Sequence, residues 1–198
     1  MTPTLKTPER YQITRRLDGL DTAHRLMGHA GKCRRLHGHR YEVDVVCSAP
    51  VLDAVGVVVD FSLVKSRVGG WCTDMLDHGV VLQVGDPLIA ALVAADGCVA
   101  PGVFRDAPME ADKTLHTNDS KLLVVEFPPS AENLARFLHE KARTLLSDVP
   151  DLTVEQVVVW ETPNCAAAWP QRASLHSGAP RVSDLDLDAV RRAWGAAR

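Results

Sequence analysis

No stretch of the sequence approaches the roughly twenty consecutive apolar residues that a helical membrane span needs, which sets aside an integral helical membrane protein. Positive charge is not in excess either. The 22 Lys and Arg residues stand against 25 Asp and Glu, a net charge of -3, so the chain offers no general basic field for nucleic acid. Cysteine is sparse and irregular: the five lie at positions 33, 47, 72, 98 and 165, an odd number that makes no disulfide framework, and residues 1–10 hold no apolar signal core. The expectation is a reduced, cytoplasmic protein with neither nucleic acid nor membrane as partner. What remains is a globular composition. Of 198 residues 46% are apolar and 24% charged, enough to bury a core, most simply as one domain over 1–198.

Chemistry concentrates between His24 and Tyr41, a stretch with four histidines and Cys33. From His37 onward the residues alternate, placing His37, His39, Tyr41, Val43, Val45 and Cys47 on one face of a half-buried strand. Two imidazoles therefore enter the edge of a core side by side. Neutral imidazole is the commonest protein ligand for zinc, and a catalytic zinc takes three protein ligands and leaves one position open. Gly19 to His24 reads as the end of a preceding strand that runs antiparallel to the first, which makes His24 the third ligand. A pair of histidines two apart also arises by accident on many surfaces, so the neighbourhood has to carry the argument.

That neighbourhood resembles the 6-pyruvoyltetrahydropterin synthase and 6-carboxytetrahydropterin synthase family. The matching blocks, in the family's order, are Ala23-His24-Arg25-Leu26 with Cys33-Arg34-Arg35-Leu36-His37-Gly38-His39-Arg40-Tyr41, then Gly56-Val57-Val58-Val59-Asp60-Phe61, then Leu76-Asp77-His78, then Pro129-Ser130-Ala131-Glu132-Asn133-Leu134-Ala135, and last Val159-Trp160-Glu161-Thr162. The resemblance implies the tunnelling fold, in which subunits join their sheets into a barrel and assemble as a homohexamer with active sites between chains. It implies Zn2+ on His24, His37 and His39, Cys33 as the catalytic base, and His78 oriented by Asp77 as the proton relay. A pterin substrate would be gripped by Glu161, with Thr162 and Glu132 beside it, and Lys32 and Arg34 would meet its triphosphate. The spacing Cys33-x-x-x-His37-Gly38-His39 resembles the queuosine-pathway carboxy enzymes more than the animal-type pyruvoyl synthases. The implied activity is then a lyase that converts 7,8-dihydroneopterin triphosphate and water into 6-carboxytetrahydropterin, acetaldehyde and triphosphate. A pyruvoyl synthase is the alternative within the family. A non-catalytic zinc module, with Cys33 as fourth ligand, is the alternative outside it.

The remaining elements follow from local signals. Tyr11 to His24 is strand-like but interrupted at Asp18-Gly19 by a bulge or a turn, and Asp60 caps a helix in which Gly69-Gly70 predicts a bend or close packing. Residues 83–121 read as an insertion in which Asp86-Pro87 starts a short helix, with His116 a surface histidine. Leu122 to Phe127 is a strand, and Ser130 caps a second helix with Leu134, Phe137, Leu138, Ala142 and Leu145 as its buried stripe. Val154 to Glu161 is the last strand. Residues 170–198 read as a linker followed by a short helix from Ser183 to Trp194. The expected fold class is α+β, an antiparallel four-stranded sheet with two helices on one face.

Overall fold

The computed structural model describes residues 9–95, 114–116 and 121–171. Cys98 and the helix expected from Ser183 to Trp194 lie outside the described residues, as does the side chain of His116. Strands β1 (Tyr11–His24) and β2 (His37–Ala49) form the long antiparallel pair that the alternation predicts, with Leu17 opposite Val43 and His24 opposite His37. Their register shifts between Leu17 and Leu20, where Gly19 adopts a φ of 76°, a left-handed backbone that suits glycine. This bulge changes the parity of the inward face: Leu17 is buried before it, and Leu20, Thr22 and His24 after it. Without that one extra residue His24 would leave the face that His37 and His39 share.

The sheet is larger and more mixed than the sequence suggests. Strand β3 (Gly79–Gln83) joins β1 in parallel, β5 (Lys121–Val125) joins β3 in parallel, and β4 (Thr114–His116) closes that edge antiparallel. On the far side β6 (Thr153–Thr162) pairs antiparallel with β2, and β7 (Cys165–Trp169) pairs with β6. The order β4-β5-β3-β1-β2-β6-β7 corrects the four-stranded antiparallel expectation to a mixed sheet of seven described strands.

Helix α1 (Phe61–Val64) runs through a π-helical turn (Lys65–Gly69) into α2 (Gly70–Met75), and α4 (Ala131–Leu145) follows β5. Both caps form as the sequence predicts. Asp60 accepts from the Ser62 amide at 2.7 Å, and Ser130 from the Asn133 amide at 3.4 Å. A Cβ on Gly69 would come within 3.1 Å of Leu17 Cδ2, so the diglycine gives both the irregular turn and the close helix-to-strand contact. These helices cover one face of the sheet through Val64, Val68, Cys72, Leu134, Leu138 and Ala142.

Helix α3 (Pro87–Ala95) corrects the expectation that helices lie on one face only. Ile89 packs with Leu82, Leu122 and Val124, whereas the neighbouring Val81, Leu123 and Val125 belong to the main core. Successive residues of β3 and β5 are thus apolar on both sides, and a parallel pair with two apolar faces must be covered twice. Of the stretch read as an insertion, 83–121, its first described part is therefore packed structure that begins as the end of β3.

Candidate functional site

His24, His37 and His39 converge at the end of the β1–β2 pair. One ring nitrogen from each lies within 4.8 Å of the others, and the ring centroids are 4.6 to 5.2 Å apart. His24 is 2% exposed, and its Nδ1 stands 2.6 Å from the Pro129 carbonyl; His37 Nδ1 stands 2.8 Å from the Arg35 carbonyl. A carbonyl only accepts, so each Nδ1 carries the proton and each Nε2 presents a lone pair, which is the second-layer arrangement that orients metal-binding imidazoles. Burial, with His37 and His39 adding to it, holds the His24 pKa below its ordinary value against the opposing pull of the Pro129 carbonyl and Glu161. His24 is thus neutral near pH 7 and ready to ligate. A donor set of three converging imidazoles fits a zinc-type ion.

β6 delivers a carboxylate to the same place. Glu161 Oε1 lies 3.8 Å from His24 Nε2, at a point where the β6–β7 pairing shifts register between Trp160 and Thr162. The Tyr41 hydroxyl bridges the two groups, 3.2 Å from His24 Nε2 and 3.4 Å from Glu161 Oε1. Burial pushes the Tyr41 pKa far up, and the charges of Glu161 and of a Cys33 thiolate push it further, so the phenol stays a neutral donor. That coupling also puts Cys33, half-buried in a 3-10 turn (Lys32–Arg34), in the electrostatic neighbourhood of Tyr41. Cys33 is not among the side chains that converge with the three imidazoles.

The expected relay pair sits elsewhere in the chain. His78 Nδ1 is 3.0 Å from Asp77 Oδ2, and Asp77 Oδ1 accepts from the Asp21 amide at 2.9 Å while the His78 amide donates to the Asp21 carbonyl at 2.7 Å. Burial opposes ionisation of Asp77, but the Asp21 amide, His78 and Lys121 outweigh it and hold its pKa below the ordinary carboxylate value. His78, with a φ of 56° and a side chain 79% exposed, points outward. Its ligand atom and those of Asp77 and Asp21 cluster within 4.8 Å, and Asp21 alternates with Thr22 and so lies on the face of β1 away from His24. Within one chain the relay pair and the imidazole site occupy opposite faces of β1.

The other expected residues are less closely tied to the pocket. Lys32 and Arg34 are exposed, with Arg34 donating to the Ala30 carbonyl at 3.0 Å, and Glu132 is exposed in the first turn of α4, where capping accounts for it. Thr162 accepts from the Asn164 amide at 3.3 Å in the β6–β7 turn. Two features escape a sequence reading. Tyr41 could have been found because it shares the alternation of His37 and His39. The pair of half-buried Arg25 and buried Asp86, in which Arg25 Nε meets Asp86 Oδ2 at 2.7 Å, ties the residue after His24 to the start of α3, and nothing local signals it.

Comparison with known proteins gives consistent results. Residues 12–171 match the family described as 6-pyruvoyl tetrahydropterin synthase. The 6-carboxy-5,6,7,8-tetrahydropterin synthase of Rickettsia bellii is 32% identical over 78% of this chain and 96% of its own length, and that of Haemophilus influenzae is 29% identical over 72% and 87%. Among solved structures, an uncharacterized protein of Wolinella succinogenes superposes with a TM-score of 0.62 at 23% identity, covering 81% of this chain and 97% of that one. The 6-pyruvoyl tetrahydropterin synthase of Caenorhabditis elegans gives 0.51 at 18%, covering 81% and 95%, which extends to the fold alone.

Proposed function

The chain belongs to the 6-pyruvoyl tetrahydropterin synthase family, a family of enzymes, and from that premise we propose that it is a zinc-dependent 6-carboxytetrahydropterin synthase. The reaction is the conversion of 7,8-dihydroneopterin triphosphate and water into 6-carboxy-5,6,7,8-tetrahydropterin, acetaldehyde and triphosphate, in the cytoplasm, on the route to queuosine and other 7-deazaguanines. The observation that carries this reading is the convergence of three imidazoles, two of them oriented by backbone carbonyls, beside the Glu161 carboxylate and the Tyr41 hydroxyl.

His24, His37 and His39 would hold the metal. When bound, zinc supplies electrostatic stabilisation for charge developing on the substrate's side-chain oxygens. Glu161 accepts two N–H bonds from the guanidine-like edge of the pterin, for which a carboxylate is the matching bidentate acceptor. Tyr41, kept neutral, donates to Glu161 and fixes that acceptor in place. Cys33 takes a proton from the substrate side chain, and His78, oriented by Asp77, returns protons. Since the relay pair faces away from the imidazoles within a chain, it serves the pocket of a neighbouring subunit in a homohexamer.

A structural zinc module would need Cys33 as a fourth ligand, and its absence from the converging set speaks for the enzyme. The experiment that separates them is Cys33→Ala. The enzyme reading predicts a folded, zinc-loaded variant that forms no acetaldehyde; joint loss of zinc and stability would return the module.

A further inference from the structure

His78 stands on a backbone that has to be held. Its φ of 56° is left-handed, a conformation that a residue with a Cβ keeps only where its surroundings impose it. Part of the hold is local: the His78 amide donates to the Asp21 carbonyl at 2.7 Å, the Asp21 amide to Asp77 Oδ1 at 2.9 Å, and the Gly79 amide to the Leu76 carbonyl at 3.0 Å. These bonds tie the turn to β1 and to itself. The rest comes from a distant side chain.

Lys121 is the first residue of β5 and the last of the stretch 83–121. It precedes Leu122, which pairs with Val80, so it stands beside Gly79. A Cβ on Gly79 would come within 3.1 Å of Lys121 Cδ and 3.0 Å of the Leu76 carbonyl oxygen, so the lysine stem passes where only a glycine leaves room. Its Nζ then donates to the Asp77 carbonyl at 2.6 Å and to the Thr73 carbonyl at 2.9 Å. A lysine that merely caps a helix satisfies the last carbonyls of that helix, as the bond to Thr73 does. Asp77 lies past the end of α2, and its carbonyl belongs to the peptide unit that leads into His78. That unit is held at both polar ends, its N–H by Asp21 and its C=O by Lys121. A planar unit fixed at both ends cannot rotate, and its rotation is what would return His78 to an ordinary φ.

We propose that Lys121 is a positioning residue: through the Asp77 carbonyl it locks the peptide unit before His78, and so keeps the imidazole projecting from its own chain beside Asp77. The stretch 83–121 thereby takes part in presenting the relay pair. The share of this lock in catalysis rests on the proposed function; the lock itself does not.

The test compares zinc-loaded full chains carrying Lys121→Met, which keeps the stem and removes the ammonium, Lys121→Arg, which restores a cationic donor, and Arg143→Gln on exposed α4 as a control. Hydrogen exchange at the His78 amide, read by mass spectrometry, should quicken about tenfold in Lys121→Met, recover towards wild type in Lys121→Arg and stay unchanged in the control. On dihydroneopterin triphosphate, kcat should fall about tenfold in Lys121→Met at unchanged KM and zinc content, and adding Lys121→Met to His78→Ala should slow that variant no further. A lysine that served stability alone would lower the Tm and act equally with and without His78. Unchanged exchange at His78, or faster exchange with kcat unchanged, overturns the proposal. A wild type that does not consume the substrate overturns the proposed reaction instead, and exchange at His78 then decides by itself whether Lys121 locks the turn.

Discussion

His37 offers the cleanest separation of metal binding from folding, because it is half-buried at the mouth of the site while His24 is part of the packed interior. His37→Ala should abolish the stoichiometric zinc, about one ion per chain, while the apo-protein melts close to the wild-type apo-protein. Metal analysis with thermal melts of the stripped proteins checks both halves, and unchanged zinc content removes His37 from the ligand set. Glu161 is expected to act on the pterin more than on the fold. Glu161→Gln keeps the shape and removes the negative acceptor, so pterin affinity should fall about tenfold or more at nearly constant Tm. Equal affinity of the two proteins contradicts the assignment. Most of this site is legible in the sequence because alternation from His37 orders the face directly. Tyr41 needs the same alternation read one step further, whereas the Pro129 and Arg35 carbonyls that set the imidazole tautomers are backbone groups and leave no trace in residue types.

Among the elements, α3 depends on a single carboxylate. Asp86 has a fully buried side chain that meets Arg25 and accepts from the Leu88 amide at 2.8 Å. Burial opposes its charge, but Arg25 and the Leu88 amide outweigh that and hold the Asp86 pKa below the ordinary carboxylate value. Asp86→Asn should therefore cost about 3 kcal/mol near pH 7, since it leaves Arg25 without its counter-charge. A folded pKa below the unfolded one gives stabilisation that is complete above the usual aspartate range near pH 4, and is lost as pH falls through the depressed folded value. Melts of both proteins between pH 7 and pH 3 should show the gap in Tm closing below about pH 4, and a constant gap would show that the charge is not what Asp86 contributes. Elements with local signals, the caps at Asp60 and Ser130 and the bulge at Gly19, were readable. β3 was not, because Gly79 to Gln83 has no polar alternation and pairs only with strands distant in sequence. β7 was not, because Cys165-Ala166-Ala167-Ala168-Trp169 has weak strand preference and relies on β6.

At the scale of the whole molecule, the opposite facing of the imidazole site and the relay pair makes a single chain incomplete for the proposed chemistry. An inactive Cys33→Ala protein and an inactive His78→Ala protein, unfolded together and refolded as a mixture, should regain part of the wild-type rate in mixed assemblies, whereas each refolded alone should not. Sedimentation of the wild type should report a hexamer. The central claim, that this chain cleaves the pterin side chain, is tested most directly by following the zinc-loaded wild type on 7,8-dihydroneopterin triphosphate and measuring acetaldehyde against pterin consumed. The account predicts one acetaldehyde for each pterin, and consumption of the substrate with no acetaldehyde released would contradict it.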